Sequence, residues 1–506
     1  MTRTEGAVNW RVFAASWALL TLLSFLWTLS TPIGAAPDEP AHLIKAASVV
    51  RGQFIGTPSA QGNIVSVPAY IGYTQAQTCY AFAPNEAADC IPLLAGDPMK
   101  SIEVPTSAGL YNPTYYMLVG WPSLIIGDSA GIFAMRFMSA VLSSGFLALV
   151  FAFVSRWPRR ALPLIGSAVA VTPMVLFLNG TVNPNGLEIA ATLAAFVGVI
   201  STVRQPENRT VGPTAVIVFA SAALAANMRG LSLLWLAVAL LAPVILAVPT
   251  HIAKLVRMPQ LQLAAGGVAT AALLAAAWLA STNFFVVATQ DPLGPVSAPG
   301  IGTSPFLGFA WTLSSTLDYA LGMVGIFGWL DTPAPTIVYF IWAVLFGGLA
   351  LLAFTLLRGR SLLMISTLAG ALLLLPALLQ GIYIVKGGVI WQGRYILPLF
   401  ACLAVALGTL LSDRIYLTGR DHVRLVTIAS ALLGFAQFAA FATAMRRYAV
   451  GLDGGWLSLL NAQWAPPGGI WLLLTGFALA VLASYFLFAR LSIGEPAISG
   501  PIPPTN

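Results

Sequence analysis

Charged side chains are scarce in this 506-residue sequence: they make up 8% of it, against 58% hydrophobic residues. A soluble surface needs roughly a quarter of its residues charged, so a soluble globular fold is excluded. Cysteine is nearly absent. Three residues, with no CxxC pair and no Cys/His cluster, give no sign of a zinc site. No Walker or GxGxxG string stands in a strand-turn-helix context, which argues against a nucleotide-driven reaction. The net charge of +7 is not a nucleic-acid signature in such a chain, where the placement of the positive residues carries the information.

What is present is a series of long apolar runs. The first, over 12–30, suffices to cross a hydrocarbon core of roughly 30 Å. Small residues after it (Gly34, Ala35, Ala36) would also suit a cleaved signal peptide, but a proline follows and eleven more runs come later, which favours an uncleaved helix. Those runs lie near 131–155, 161–178, 187–203, 211–228, 231–249, 261–281, 335–357, 361–380, 395–412, 425–444 and 469–490. Together they predict an all-α polytopic membrane protein of about twelve spans. A single module over 1–490 is expected, with a long first outer loop (31–129), a second large outer loop (282–334) and a short cytoplasmic tail (491–506). Within the first loop an apolar run over 113–127 is short for a span. It is expected to lie at the interface or to re-enter, with its tyrosines at headgroup level.

Loop charge orients the chain. With the N-terminus in the cytoplasm, 15 of the 24 basic residues fall in short inner segments, among them Arg3, Arg11, Arg156, Arg159, Arg160, Arg204 and Arg209. Only 5 of the 17 acids do so: Glu5, Glu207, Asp413, Asp421 and Glu495. Both termini are then cytoplasmic and the acids concentrate at the outer face. Cys79 and Cys90 share the first outer loop. An oxidising compartment would make them a disulfide, with two free thiols as the alternative.

The stretch from Pro37 to Lys45 stands out, because Asp38, Glu39, His42 and Lys45 sit at the mouth of the first span. Adjacent carboxylates push one pKa upward, which suits a general base. A capped loop turn, with Pro40 in the first helical turn, explains the same residues without chemistry. Asp38, Glu39 and His42 could also ligate a divalent metal. Arg394, in Trp391-Gln392-Gly393-Arg394-Tyr395, could clasp a phosphate with help from Lys386, Arg136 or Arg229. Interfacial anchoring and snorkelling are the plainer readings of those residues. His42, Tyr115, Tyr116, Asp331 and Gln392 are the expected substrate contacts. The turn over 179–186, followed by Glu188, could line a site but reads more simply as a turn.

Five segments in this order carry a resemblance: Pro37-Asp38-Glu39-Pro40-Ala41-His42, Asn112-Pro113-Thr114-Tyr115-Tyr116, Arg136 opening its span, Gly328-Trp329-Leu330-Asp331, and Gln392 through Pro398. Over about residues 10–450 the chain resembles the bacterial membrane family called domain of unknown function 2142. It departs from the family's more usual Gln-Pro-Pro-Leu-type string at Tyr111-Asn112-Pro113-Thr114. The family is grouped with the GT-C glycosyltransferases, which use polyprenyl-phosphate sugars and carry a catalytic carboxylate in the first outer loop. The resemblance therefore implies an inverting sugar transfer at the outer face of a bacterial plasma membrane. Asp38 or Glu39 would be the base, a polyprenyl-phospho-sugar the donor, and a cell-envelope glycan, lipid or protein the acceptor. The alternatives are a twelve-span transporter or flippase of a lipid-linked glycan and a non-catalytic assembly protein.

Overall fold

The computed structural model describes residues 8–204, 208–284, 299–417 and 420–493. Arg3, Glu5, Glu207, Glu495, the tail beyond 493 and positions 285–298 of the second large loop lie outside the described residues, as does the Arg209 side chain. Helix α1 (Trp10–Ser30) starts on Asn9, whose side chain accepts from the Val12 amide. The chain then turns at Asp38 into α2 (Glu39–Val49), a short helix buried along its whole length. A small antiparallel sheet follows, β1 (Thr57–Ser59), β2 (Gly62–Pro68) and β3 (Ser101–Thr106), in the order β1-β2-β3 with Val65 opposite Val104. Between β2 and β3 lie the one-turn helix α3 (Ala69–Gly72) and a disulfide joining Cys79 to Cys90.

Helix α4 (Pro113–Gly120) is capped by Asn112 and begins on proline, which fits a first helical turn. At ~1.5 Å per residue it covers about 12 Å, too little to cross a bilayer. Tyr115, Tyr116 and Val119 are buried, while Met117, Leu118, Trp121, Leu124 and Ile125 are exposed. One face packs on the protein and the other is apolar and open, as an interfacial helix requires.

The helical framework continues with α5 (Ser129–Val154), α6 (Ala161–Ala170), α7 (Pro173–Asn179), α8 (Pro184–Arg204), α9 (Asn208–Ala226), α10 (Ser232–Leu241), α11 (Pro249–Val256) and α12 (Pro259–Ser281). After the second large loop come α13 (Pro305–Ser314), α14 (Thr316–Gly325), the two-residue strands β4 (Ile326–Phe327) and β5 (Thr332–Pro333), α15 (Thr336–Leu356), α16 (Gly359–Gly387), α17 (Leu397–Leu411), α18 (Asp421–Val450) and α19 (Ile470–Ile493). Among the described residues, nine helices are long and apolar enough to cross a membrane. The pair α6–α7, bent by 59°, makes a tenth, and two shorter apolar helices, Thr210–Ala226 and Ser232–Leu246, complete the twelve predicted runs. The bend has a local cause. Pro173 cannot continue α6, and Thr172 caps α7 through the Val175 amide. The second large loop differs from expectation. Residues 305–325 form α13 and α14, each of ten residues and so too short to register as spans.

Packing follows the composition. With lipid on the outside, helices associate by close fit rather than by apolar burial from water. A Cβ on Gly166 would lie 2.5 Å from the Ala404 carbonyl oxygen, and one on Gly408 2.3 Å from that of Leu162, so α6 and α17 touch backbone to backbone. Trp27, at the end of α1, is ringed by Phe177, Phe327 and Phe441 at 5.6, 4.9 and 5.3 Å between ring centroids. This aromatic core joins α1, α7, β4 and α18 directly below the turn that leads to Asp38.

The polar contacts sort to two ends. At one, the Asn9 amide donates to Ala152, Arg160 donates to the Leu491 carbonyl, and Arg204 pairs with Asp413. At the other lie the pairs Arg136–Glu39, Arg394–Asp38 and Arg447–Asp331.

Candidate active site

Asp38 and Glu39 are adjacent, yet their surroundings are opposite. Asp38 is a non-glycine residue with φ of 63°. That left-handed backbone is uncommon for a residue with a Cβ and is kept where the surroundings enforce it. It turns the Asp38 carboxylate away from Glu39 and towards α17. There Oδ2 accepts from Arg394 Nη2 at 2.6 Å, while Arg394 Nη1 donates to the Pro37 carbonyl at 3.3 Å. Protein packs densely around the Asp38 carboxylate, but half of the side chain remains open, whereas Arg394 is almost wholly buried. Burial works to raise the Asp38 pKa. The Arg394 guanidinium, through its charge and hydrogen bond, and the charge of Arg229 outweigh it and hold the carboxyl below its ordinary value.

Glu39 points inward and is fully buried. It accepts from Arg136 Nε at 2.7 Å and Nη2 at 2.5 Å, and from the Val182 amide at 3.0 Å. Arg136 spends its other protons on the carbonyls of Thr28, Thr31 and Pro32. Every strong donor and acceptor of this pair is engaged inside the protein. Arg136 thus clamps the end of α1 to the start of α2, and the expected donor-phosphate ligand and the expected second base are found paired with each other inside the protein.

Around Asp38 the structure assembles a polar cluster. His42, one helical turn on, shares a 2.8 Å hydrogen bond with Tyr116 through Nδ1. Burial, opposed by Asp38 and reinforced by Arg229 and Arg394, pulls His42 down to about 3, so it is neutral near pH 7. Arg229 is hydrogen-bonded to Tyr111. Its guanidinium lies 4.5 Å from the centre of the Tyr395 ring, and that of Arg394 lies 5.3 Å from the same ring. Two cations therefore flank Tyr395 next to one open carboxylate, an arrangement suited to an anionic ligand. Among the described residues, Arg394 Nε and Gln392 Oε1 are buried without a hydrogen-bond partner. A buried group left so is costly, and both atoms are chemically able to bond a ligand.

Other expected site residues lie elsewhere or serve packing. Lys386 is exposed in the last turn of α16, and the cations acting on Asp38 are Arg394 and Arg229. Tyr115 is buried against Ser139, with a hydroxyl contact of 2.9 Å. Asp331 accepts from the Phe82 amide at 3.0 Å and meets Arg447 at 3.3 Å, which fastens the first loop to α18. Asp38, Glu39 and His42 do not converge as metal ligands, because Glu39 faces Arg136. Among the described residues no group of three metal-ligating side chains gathers.

Sequence reasoning passed over Tyr111 and Tyr395, which read as interfacial aromatics, and undervalued the 179–186 turn. Asn183 Nδ2 donates to the Pro37 carbonyl at 3.2 Å, and Asn185 Nδ2 reaches the Arg394 carbonyl at 3.5 Å. This turn holds both halves of the Asp38–Arg394 pair, and three asparagines in eight residues were its signal.

The family model described as Predicted membrane protein (DUF2142) matches residues 20–403, which include every member of this cluster. No curated protein matches the chain.

Proposed function

The chain belongs to the DUF2142 family of membrane proteins, and on that premise we propose that it is an inverting glycosyltransferase using a polyprenyl-phospho-sugar at the extracytoplasmic face of a bacterial plasma membrane. The observation that carries this reading is the unequal treatment of the two carboxylates. One acid at the mouth of the first span is locked away, and its neighbour is left half-open beside an arginine with unspent donors. The GT-C resemblance implies a base at that place in the chain.

In the proposed reaction, Arg394 and Arg229 receive the phosphate of the donor. Arg394 is then shared between phosphate and Asp38, so the carboxylate loses part of the charge that depresses its pKa and becomes a better base. Asp38 takes the proton of an acceptor hydroxyl as that oxygen attacks the anomeric carbon. The bond from the anomeric carbon to the phosphate oxygen breaks, and polyprenyl phosphate leaves with its added negative charge held by the two guanidinium groups. Neutral His42, Tyr111 and Tyr116 supply uncharged hydrogen-bonding groups for sugar hydroxyls. The apolar open face of α4 gives the lipid tail a place at the membrane interface.

The broken helix at Val171–Thr172 favours a second reading, transport of a lipid-linked glycan, because transporters place interrupted helices at their sites. Its polar contacts are uncharged: Thr172 donates to Met323, and Gln437 donates to the Val171 carbonyl. One assay separates the two. Purified wild type and Asp38→Asn are given a panel of synthetic polyprenyl-phospho-sugars together with envelope acceptors. Transfer by wild type, lost in Asp38→Asn with donor binding kept, supports the enzyme. Donor binding without transfer in either protein overturns it.

A further inference from the structure

We infer that a recess at the opposite, arginine-rich end of the molecule binds a phosphate oxyanion. The recess holds about 70 Å³ and forms where the turn after α5 meets the ends of α8 and α17. Trp157, Arg159, Arg204 and Asp413 line it. At ~30 Å³ per water it has room for roughly two waters, or for one small tetrahedral group.

Helix capping accounts for part of this charge. Arg204 Nη1 donates to the Thr409 carbonyl at 3.3 Å, and Arg160 Nε donates to that of Leu491 at 2.6 Å, as cations near helix C-termini do. Asp413 neutralises Arg204 at 2.6 Å. Arg159 remains. Its guanidinium is fixed against the Tyr416 ring at 4.3 Å, and among the described residues its buried Nη2 finds no hydrogen-bond partner. A guanidinium held in place with a dry, unspent N–H matches a phosphate oxygen better than water or a carbonyl. The loop-charge rule places this end in the cytoplasm, where the leaflet carries anionic lipids. A lipid headgroup and a soluble phosphate present the same oxyanion.

Native mass spectrometry of the full chain in detergent tests this with phosphatidylglycerol, phosphatidylcholine and inorganic phosphate as probes. Wild type is expected to retain phosphatidylglycerol over phosphatidylcholine, and inorganic phosphate to displace it. Arg159→Gln should bind it about tenfold more weakly, the scale of one charge-assisted hydrogen bond. Arg358→Gln, which removes an exposed arginine outside the recess, should match wild type. Binding of inorganic phosphate alone, lost in Arg159→Gln, assigns the site to a soluble phosphate and still supports it. Equal binding by Arg159→Gln and wild type overturns the inference, as does equal retention of the two lipids without phosphate binding. Hydrogen exchange on the wild type gives a readout free of any folding defect in the variant. Phosphate or phosphatidylglycerol should slow exchange at 157–160 and 412–416, and unchanged exchange there with both overturns the inference.

Discussion

The Glu39–Arg136 and Asp38–Arg394 pairs start from neighbouring carboxylates and end in different physical regimes. In the first, both side chains are fully buried and the carboxylate takes three donors. In the second, the arginine is buried but the carboxylate is half-open and takes one strong donor. A buried pair contributes little net stability over an apolar substitute, yet removing one partner strands a charge and is severe. An open pair is worth little to stability but can exchange partners with a ligand. One pair is therefore suited to holding the fold and the other to chemistry, and each can be broken separately.

The largest effect is expected at Glu39. Glu39→Gln removes the charge opposite Arg136 and should destabilise by about 3–5 kcal/mol, the usual consequence of breaking a buried pair. Denaturant unfolding in detergent measures it. A Glu39→Gln protein of normal stability that had lost transfer would reverse the two roles. Next is Asp38→Asn, which should leave the unfolding midpoint close to wild type and lower turnover by roughly 10²–10⁴, the range for losing a general base. Retained turnover in that variant would remove Asp38 from the chemistry.

Arg394→Lys sharpens the contrast from the cation's side. Lysine keeps the charge but loses the planar fork and the unspent Nε. Turnover should fall by about 10², with donor affinity also weakened and little change in stability. Arg136→Lys should do the reverse, because Arg136 feeds three backbone carbonyls as well as Glu39. If both lysine variants behaved alike, the division between a structural and a working arginine would fail.

These roles were only half legible in the sequence. The apolar runs revealed the spans, since lipid imposes length and composition on a crossing helix. Short helices were harder: α13 and α14 are apolar, but a break at Ser314–Thr316 leaves each below spanning length. The stretch around Asp38 was visible as charge at a span mouth. Which carboxylate stays open was not, because the answer depends on the left-handed turn at Asp38 and on two arginines 97 and 356 residues away from their partners. Arg136 and Arg394 both stand near the outer start of a span, so sequence position made them equivalent. Tyr111 and Tyr395 look like headgroup anchors until Arg229 and Arg394 are seen on them.

Lys45 gives the smallest and most specific test, because it lies in α2, which begins at Glu39 directly after Asp38, and has no carboxylate partner of its own in the contacts that hold it. Its Nζ donates to the carbonyls of Phe54 and, at 2.6 Å, of Gly109. Burial pulls its pKa down from 10.5 to about 7. A neutral amine still has two N–H groups, enough for both carbonyls. Between about pH 7 and 10.5 the unfolded chain then keeps a proton that the folded chain has released. Stability should rise with pH across that window and be flat in this respect below it. Unfolding followed from pH 6 to pH 10 should show the rise in wild type and a shallower one in Lys45→Met. An equal slope in the two proteins would mean that Lys45 stays charged when folded. The interior beneath the Asp38 turn would then tolerate a lone cation, and the strict pairing of Glu39 with Arg136 would need a reason other than burial.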